Sequence, residues 1–230
     1  MNVVDILIIL FILFGAAIGF SKGFTRQLVD TVGTIAVIVL SFMFKGLVSS
    51  VLYKFMPFFN FSNKFAGITA MNILLYEVIA FILVFIILHA VLAILKKTTK
   101  WFEKLLNATI ILGIPSKILG AVVGLVNNFI FTFIILYFLS LPVLGLNIIH
   151  ESNLSNKILN STPILSNLCD NTVKAFEKLD VLMDQYQINP DRIGLNQQTI
   201  ELLIESNVVD KETVNKLIES GKLTNAEIIK

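Results

Sequence analysis

One cysteine, Cys169, and two histidines, His89 and His150, are all that the chain holds of the residues that build disulfides and zinc cages. A lone cysteine excludes an intramolecular disulfide, and two histidines beside it cannot complete the usual four-ligand Cys/His zinc site. No metal and no cofactor is expected. Charge is scarce too: Asp, Glu, Lys and Arg make up 15% of the 230 residues, while 56% are hydrophobic and the mean hydropathy is +0.83. One soluble core of this size cannot hide so much apolar surface, nineteen phenylalanines included. The composition is that of an integral membrane protein.

Catalytic motifs are missing as well. The chain has no phosphate-cradling Gly-x-x-x-x-Gly-Lys-Ser/Thr, no His-Glu-x-x-His and no dinucleotide fingerprint, so no enzymatic activity is expected. The charge is unevenly placed. Residues 1 to 141 carry ten Lys/Arg against four Asp/Glu (10 − 4 = +6), and residues 142 to 230 carry eight against twelve (8 − 12 = −4). The apolar runs stop at the same point, which marks a membrane module over 1–141 and an acidic tail over 142–230. An acidic soluble piece repels phosphate, so nucleic acid is not an expected partner.

Four apolar runs are long enough to cross a bilayer: residues 3–20, 28–44, 73–95 and 118–141. The first has no basic residue ahead of it, unlike a cleaved signal peptide, and reads as a permanent helix. Four crossings place both termini on one side. The first and third connections hold Lys22, Arg26, Lys96, Lys97, Lys100, Lys104 and Lys117, against Lys45, Lys54, Lys64 and Lys157 on the opposite face. Seven against four favours both termini outside. In the second connection, residues 46–65, aromatics surround Pro57, and a loop lying on the outer membrane surface is expected. Over residues 96–106, Trp101, Phe102, Leu105 and Leu106 oppose Lys96, Lys100, Glu103 and Lys104, the pattern of an in-plane helix on anionic lipid, and Lys97 is expected at the same lipid interface.

Small residues fall at four-residue intervals in two places. Gly15, Gly19 and Gly23 line one stripe of the first helix, and Ser116, Gly120 and Gly124 line another at the start of the fourth. Such stripes let two backbones approach closely, which predicts packing of the first helix on the fourth, with a homo-oligomer contact as the alternative use. The ionisable residues inside the runs are Asp5, Asp30, Glu77 and His89, and the three acids mostly fall within about two turns of a helix end, where snorkelling and water are expected to make a charge cheap. Asp30 and His89 fall at matching depths, about 9 Å and about 7.5 Å from the midplane at a rise of about 1.5 Å per residue. Either the two pair, or Asp30 pairs with Arg26 one turn earlier and His89 bonds a carbonyl or water.

These residues have a familiar arrangement. Asp5 ahead of an apolar helix, then Gly19-Phe20-Ser21-Lys22-Gly23-Phe24-Thr25-Arg26-Gln27-Leu28 and Gly33, and later Leu119-Gly120-Ala121-Val122-Val123-Gly124-Leu125, resemble the colicin V production protein family over roughly residues 1–141. The resemblance implies a multi-pass protein of the bacterial inner membrane linked to toxin production or export and to envelope homeostasis. Some similar proteins carry a serine-protease domain after the fourth helix. Here the tail is too short for one, and its only histidine, His150, has no nucleophile motif near it. Asn127 and Asn128 stand where the family has a basic residue.

In the tail, residues 163–187 read as one amphipathic helix that Pro190 ends. A fourteen-residue echo follows, Thr199-Ile200-Glu201-Leu202-Leu203-Ile204-Glu205-Ser206-Asn207 against Thr213-Val214-Asn215-Lys216-Leu217-Ile218-Glu219-Ser220-Gly221. Asn207 and Gly221 suit left-handed helix caps; Asn196 and Asp210 suit N-caps, and Thr224 with Glu227 suits a capping box. The sequence thus predicts an all-α membrane protein of four transmembrane helices and a small helical tail. Two functions fit it: a membrane scaffold whose tail engages an envelope or secretion protein, and an oligomeric small-solute or ion pathway.

Overall fold

The computed structural model describes residues 2–61, 67–98, 113–140, 149, 151–160, 175, 178–179, 181–182 and 192–224. These residues form helices and connections, with no strand among them. The helices are α1 (Val3–Lys22), α2 (Phe24–Phe55), α3 (Met71–Thr98), α4 (Gly113–Leu139), α5 (Asn153–Asn160), α6 (Arg192–Glu205) and α7 (Lys211–Glu219). Four of them, α1 to α4, are long and apolar enough to cross a membrane.

The burial pattern of α1 is the reverse of a soluble helix. Leu7, Leu10 and Phe14 are about 60% exposed, whereas Asp5, Gly15 and Gly19 are buried. In water such a surface would cost about 25 cal/mol for each Å² of apolar area left exposed; against lipid it costs nothing. The helices outrun the apolar runs of the sequence. At 32 residues α2 is about 48 Å long, against about 30 Å of hydrocarbon. Residues 46–55, expected in a surface loop, are its last turns. The in-plane segment was expected over 96–106. Lys96 and Lys97 belong to α3, while Lys100, Trp101 and Lys104 lie outside the described residues.

The chain divides into two compact units. One comprises Met1–Met43, Leu83–Ser140 and Leu146–Thr162; the other comprises Phe44–Ile82, Leu141–Gly145 and Pro163–Lys230. In the first, α1 packs along α4, and α5 packs against both. Gly23, at φ +78°, makes the break between α1 and α2 that a side chain would strain.

In the second unit the fourteen-residue echo is a repeat of structure. Helix α6 closes with Val208 N–H on Leu203 O and Asn207 N–H on Ile204 O; α7 closes with Lys222 N–H on Leu217 O and Gly221 N–H on Ile218 O. Both are Schellman endings, with Asn207 at φ +51° and Gly221 at φ +70°. Equivalent apolar positions are buried in both copies, Ile200 with Val214 and Leu203 with Leu217. Of the two expected N-caps, Asp210 is one: Oδ1 accepts Thr213 N–H at 2.7 Å. Asn196 is not, because α6 begins four residues earlier and carries it as an interior residue. The helix expected over 163–187 and the capping box to Glu227 fall largely outside the described residues; Ala175 and Leu179 are helical and buried.

Burial alone would raise the Asp210 pKa, but the hydrogen bonds from the Thr213 backbone and hydroxyl outweigh it and hold the carboxyl below its ordinary value. A depressed folded-state pKa adds stability that is fully present above the ordinary carboxylate range and is lost as pH falls through the lowered value. Asp210→Ala is expected to cost about 1 kcal/mol at neutral pH and to abolish that part of the acid sensitivity. Thermal melts in detergent across pH 3 to 7 would show an unchanged acid limb if the cap contributed nothing.

Candidate functional site

In the second unit, α2 presents Lys45, Ser49 and Tyr53 at four-residue intervals, one above the other on one face. Glu77, on α3, is 4% exposed, and its two oxygens have different partners. Lys45 Nζ lies 2.8 Å from Oε2, and the Tyr53 hydroxyl donates to Oε1 at 2.7 Å. Glu77 was expected to be cheap because of its place near a helix end. It is instead the buried centre of an ion pair and a phenol hydrogen bond. Beside this trio is a cavity of about 270 Å³ walled by Ser49, Ser50, Tyr53 and Glu77, and by Asp210 and Thr213 of the α6–α7 segment.

Four further side chains fasten the segments around it. Asn72 accepts Phe59 N–H at 2.7 Å and donates to Phe59 O at 3.0 Å, while the Tyr76 hydroxyl donates to Pro57 O, so both hold the chain after α2. Asn196, fully buried, accepts Ala70 N–H at 3.0 Å just ahead of α3 and donates to Thr224 O at 2.8 Å. Lys222 Nζ donates to the carbonyls of Tyr53, Lys54 and Met56 at 2.6, 2.8 and 3.0 Å. A lysine on those carbonyls caps the C-terminus of α2, where the helix dipole favours a cation. The polar tail is therefore fastened onto the ends of α2 and α3. Its tie points are chain-distant, and the 4-residue spacing of Lys45, Ser49 and Tyr53 was the one local signal of this cluster in the sequence.

The first unit holds the remaining candidates. Gly15 and Gly19 of α1 face Gly120 and Gly124 of α4 so closely that a Cβ on Gly19, Gly120 or Gly124 would meet a backbone oxygen of the facing glycine. The stripes are thus filled within one chain. Gly23 contributes at the upper end of the seam, where a Cβ would reach Ser116 Oγ at 3.3 Å and where Phe24 N–H donates to that hydroxyl. Asn128 Nδ2 donates to Phe11 O at 2.7 Å, adding a polar tie between α1 and α4.

Asp30 has neither expected partner. Lys22 Nζ and Lys96 Nζ each lie 2.6 Å from one of its oxygens. His89 is packed among aromatic rings, stacked on Phe85 at 5.7 Å and edge-on to Phe131 at 6.5 Å. Depth alone matched it to Asp30; the long lysine stems reached the carboxylate first. Asp5, also expected to be solvated, is 3% exposed and accepts from Asn2 N–H, the Ser152 hydroxyl and Leu154 N–H at 2.8, 2.6 and 3.1 Å. It thereby joins the start of α1 to the start of α5. Among the described residues, no three His, Cys, Asp or Glu side chains gather as a metal site needs.

Comparison with known proteins agrees with this architecture. Over residues 4–163 the chain matches the family described as Colicin V production protein, a stretch that runs past the end of α4. It is 33% identical over 178 residues to the uncharacterized transmembrane protein YshB of Bacillus subtilis (strain 168), covering 71% of this chain and 93% of that protein. No solved structure matches. With four apolar helices, a glycine-lined contact between the first and the fourth, and a family match over more than half its length, the chain belongs to the colicin V production protein family.

Proposed function

We propose that this protein is a non-enzymatic accessory or scaffold of the bacterial cytoplasmic membrane, with both termini outside, acting in toxin production or export and in envelope homeostasis. The observation that carries the reading is that the acids of the membrane helices are spent on internal ties. Asp5 holds α5, Asp30 holds Lys22 and Lys96, and Glu77 holds Lys45 and Tyr53. Carboxylates bound in this way brace helices; a pathway that moves ions over side-chain charges has those groups turned to water. The glycine seam likewise brings α1 and α4 into backbone contact and leaves no lumen between them. The tail, fastened through Lys222 and Asn196, offers exposed Glu201, Glu205, Glu212 and Glu219 to an envelope or secretion partner.

A second reading, the small-solute or ion pathway, has one observation in its favour. Gln27 Oε1, Thr31 Oγ1 and His89 Nδ1 are buried in membrane helices with no hydrogen-bond partner. Reconstitution decides between the two. Proteoliposomes holding only this protein are expected to pass ions and small solutes no faster than protein-free vesicles, and flux that rises with protein density would overturn the scaffold reading.

A further inference from the structure

Among the described residues, five cations and one acid gather where α1 gives way to α2. Lys22 closes α1, Arg26 stands in the first turns of α2, Lys96 and Lys97 close α3, and Lys117 lies near the start of α4; Asp30 is the acid. All belong to the first unit. One carboxylate holds two ammonium groups, each at 2.6 Å, so the trio keeps one net positive charge. Each ammonium has three N–H donors, and the Lys22 and Lys96 side chains are 43% and 25% exposed, which leaves donors turned outward. Arg26, Lys97 and Lys117 are exposed, with Lys117 Nζ poised 5.8 Å from the centre of the Phe20 ring.

Two helices also begin here. Neither α2 nor α4 has an acid in its first turn, so the positive ends of both helix dipoles add to the same field. We propose that this end of the first unit is a binding site for the phosphate of an anionic phospholipid headgroup. Asp30 sets the two lysines side by side as phosphate donors, and Arg26 and Lys117 supply further charge. A lipid fits better than a soluble phosphate because the cations sit at the ends of membrane-crossing helices, and exposed apolar side chains, Leu28, Leu95 and Ile118, lie on the same helices within about two turns to receive acyl chains. The site requires the chain to span a membrane but not to act as a scaffold, so flux through vesicles would leave it standing.

The test is a titration of the delipidated full chain in neutral detergent, followed by native mass spectrometry. Phosphatidylglycerol is expected to bind at least tenfold more tightly than phosphatidylcholine. Since each basic residue near an anionic surface contributes about fivefold in affinity, Arg26→Gln with Lys117→Gln should weaken phosphatidylglycerol binding about 25-fold and leave phosphatidylcholine unchanged. Both positions are exposed, so the doubly substituted protein should melt at the wild-type temperature, and a single Lys22→Gln variant gives an independent expected loss of about fivefold. Equal affinity for the two lipids, or wild-type affinity in both variants, would overturn the site. Displacement of phosphatidylglycerol by millimolar inorganic phosphate would overturn the lipid as its ligand.

Discussion

Glu77→Ala is expected to cost about 3–5 kcal/mol of stability, the range for removing one partner of a buried ion pair. The carboxylate is 4% exposed and takes Lys45 on one oxygen and Tyr53 on the other. Deleting it takes the Glu77 carboxylate away from the Lys45 ammonium, whose side chain is 17% exposed, and from the Tyr53 hydroxyl. Glu77→Gln keeps the shape and one acceptor and should fall between wild type and Glu77→Ala. Replacing both charges, Glu77→Leu with Lys45→Met, should recover most of the loss, because apolar residues of similar volume carry no desolvation penalty. A double-mutant cycle read by denaturation in mixed micelles measures the coupling. Additive losses from the two single changes would show that the pair contributes nothing as a pair.

Gly120→Ala should cost about 3 kcal/mol, the top of the usual range for overpacking, because the atoms in its way are backbone. A methyl on Gly120 would run into the Gly19 carbonyl, and one on Gly124 into the Gly15 carbonyl, so neither helix can yield without parting from the other. The loss should appear as weakened α1–α4 association and an earlier unfolding transition in detergent. Gly46 is the control within the same chain. It lies inside α2 with nothing within 4 Å of where a Cβ would stand, and alanine there should be neutral or stabilising by up to about 1 kcal/mol. Equal effects at Gly46 and Gly120 would mean that helix propensity, not close packing, governs the seam.

Much of this was legible in the sequence where a feature depends on neighbours along the chain. Hydropathy located the four crossings, but it stopped α2 at residue 44 because Lys45, Ser49, Ser50 and Lys54 interrupt the apolar run. Those residues end the hydrocarbon span without ending the helix; the backbone hydrogen bonds continue regardless of side-chain polarity. The left-handed caps at Asn207 and Gly221 and the N-cap at Asp210 were legible for the same local reason. Asn196 was misread because a residue type that favours N-caps also serves as a buried hydrogen-bonding group when packing supplies partners.

By itself the sequence determined what is local: an all-helical membrane chain, a small-residue stripe on each of two helices, and the capped repeat in the tail. Only the tertiary structure decided which groups meet. Asp30 accepts a lysine 66 residues away, Asp5 a serine 147 residues away, and Lys222 reaches carbonyls more than 160 residues back. The physical reason is that the cost of burying a carboxylate in a membrane bundle is set by the nearest donor in space. Depth along a helix narrows the candidates, but side-chain reach and the rotation of each helix about its axis choose among them.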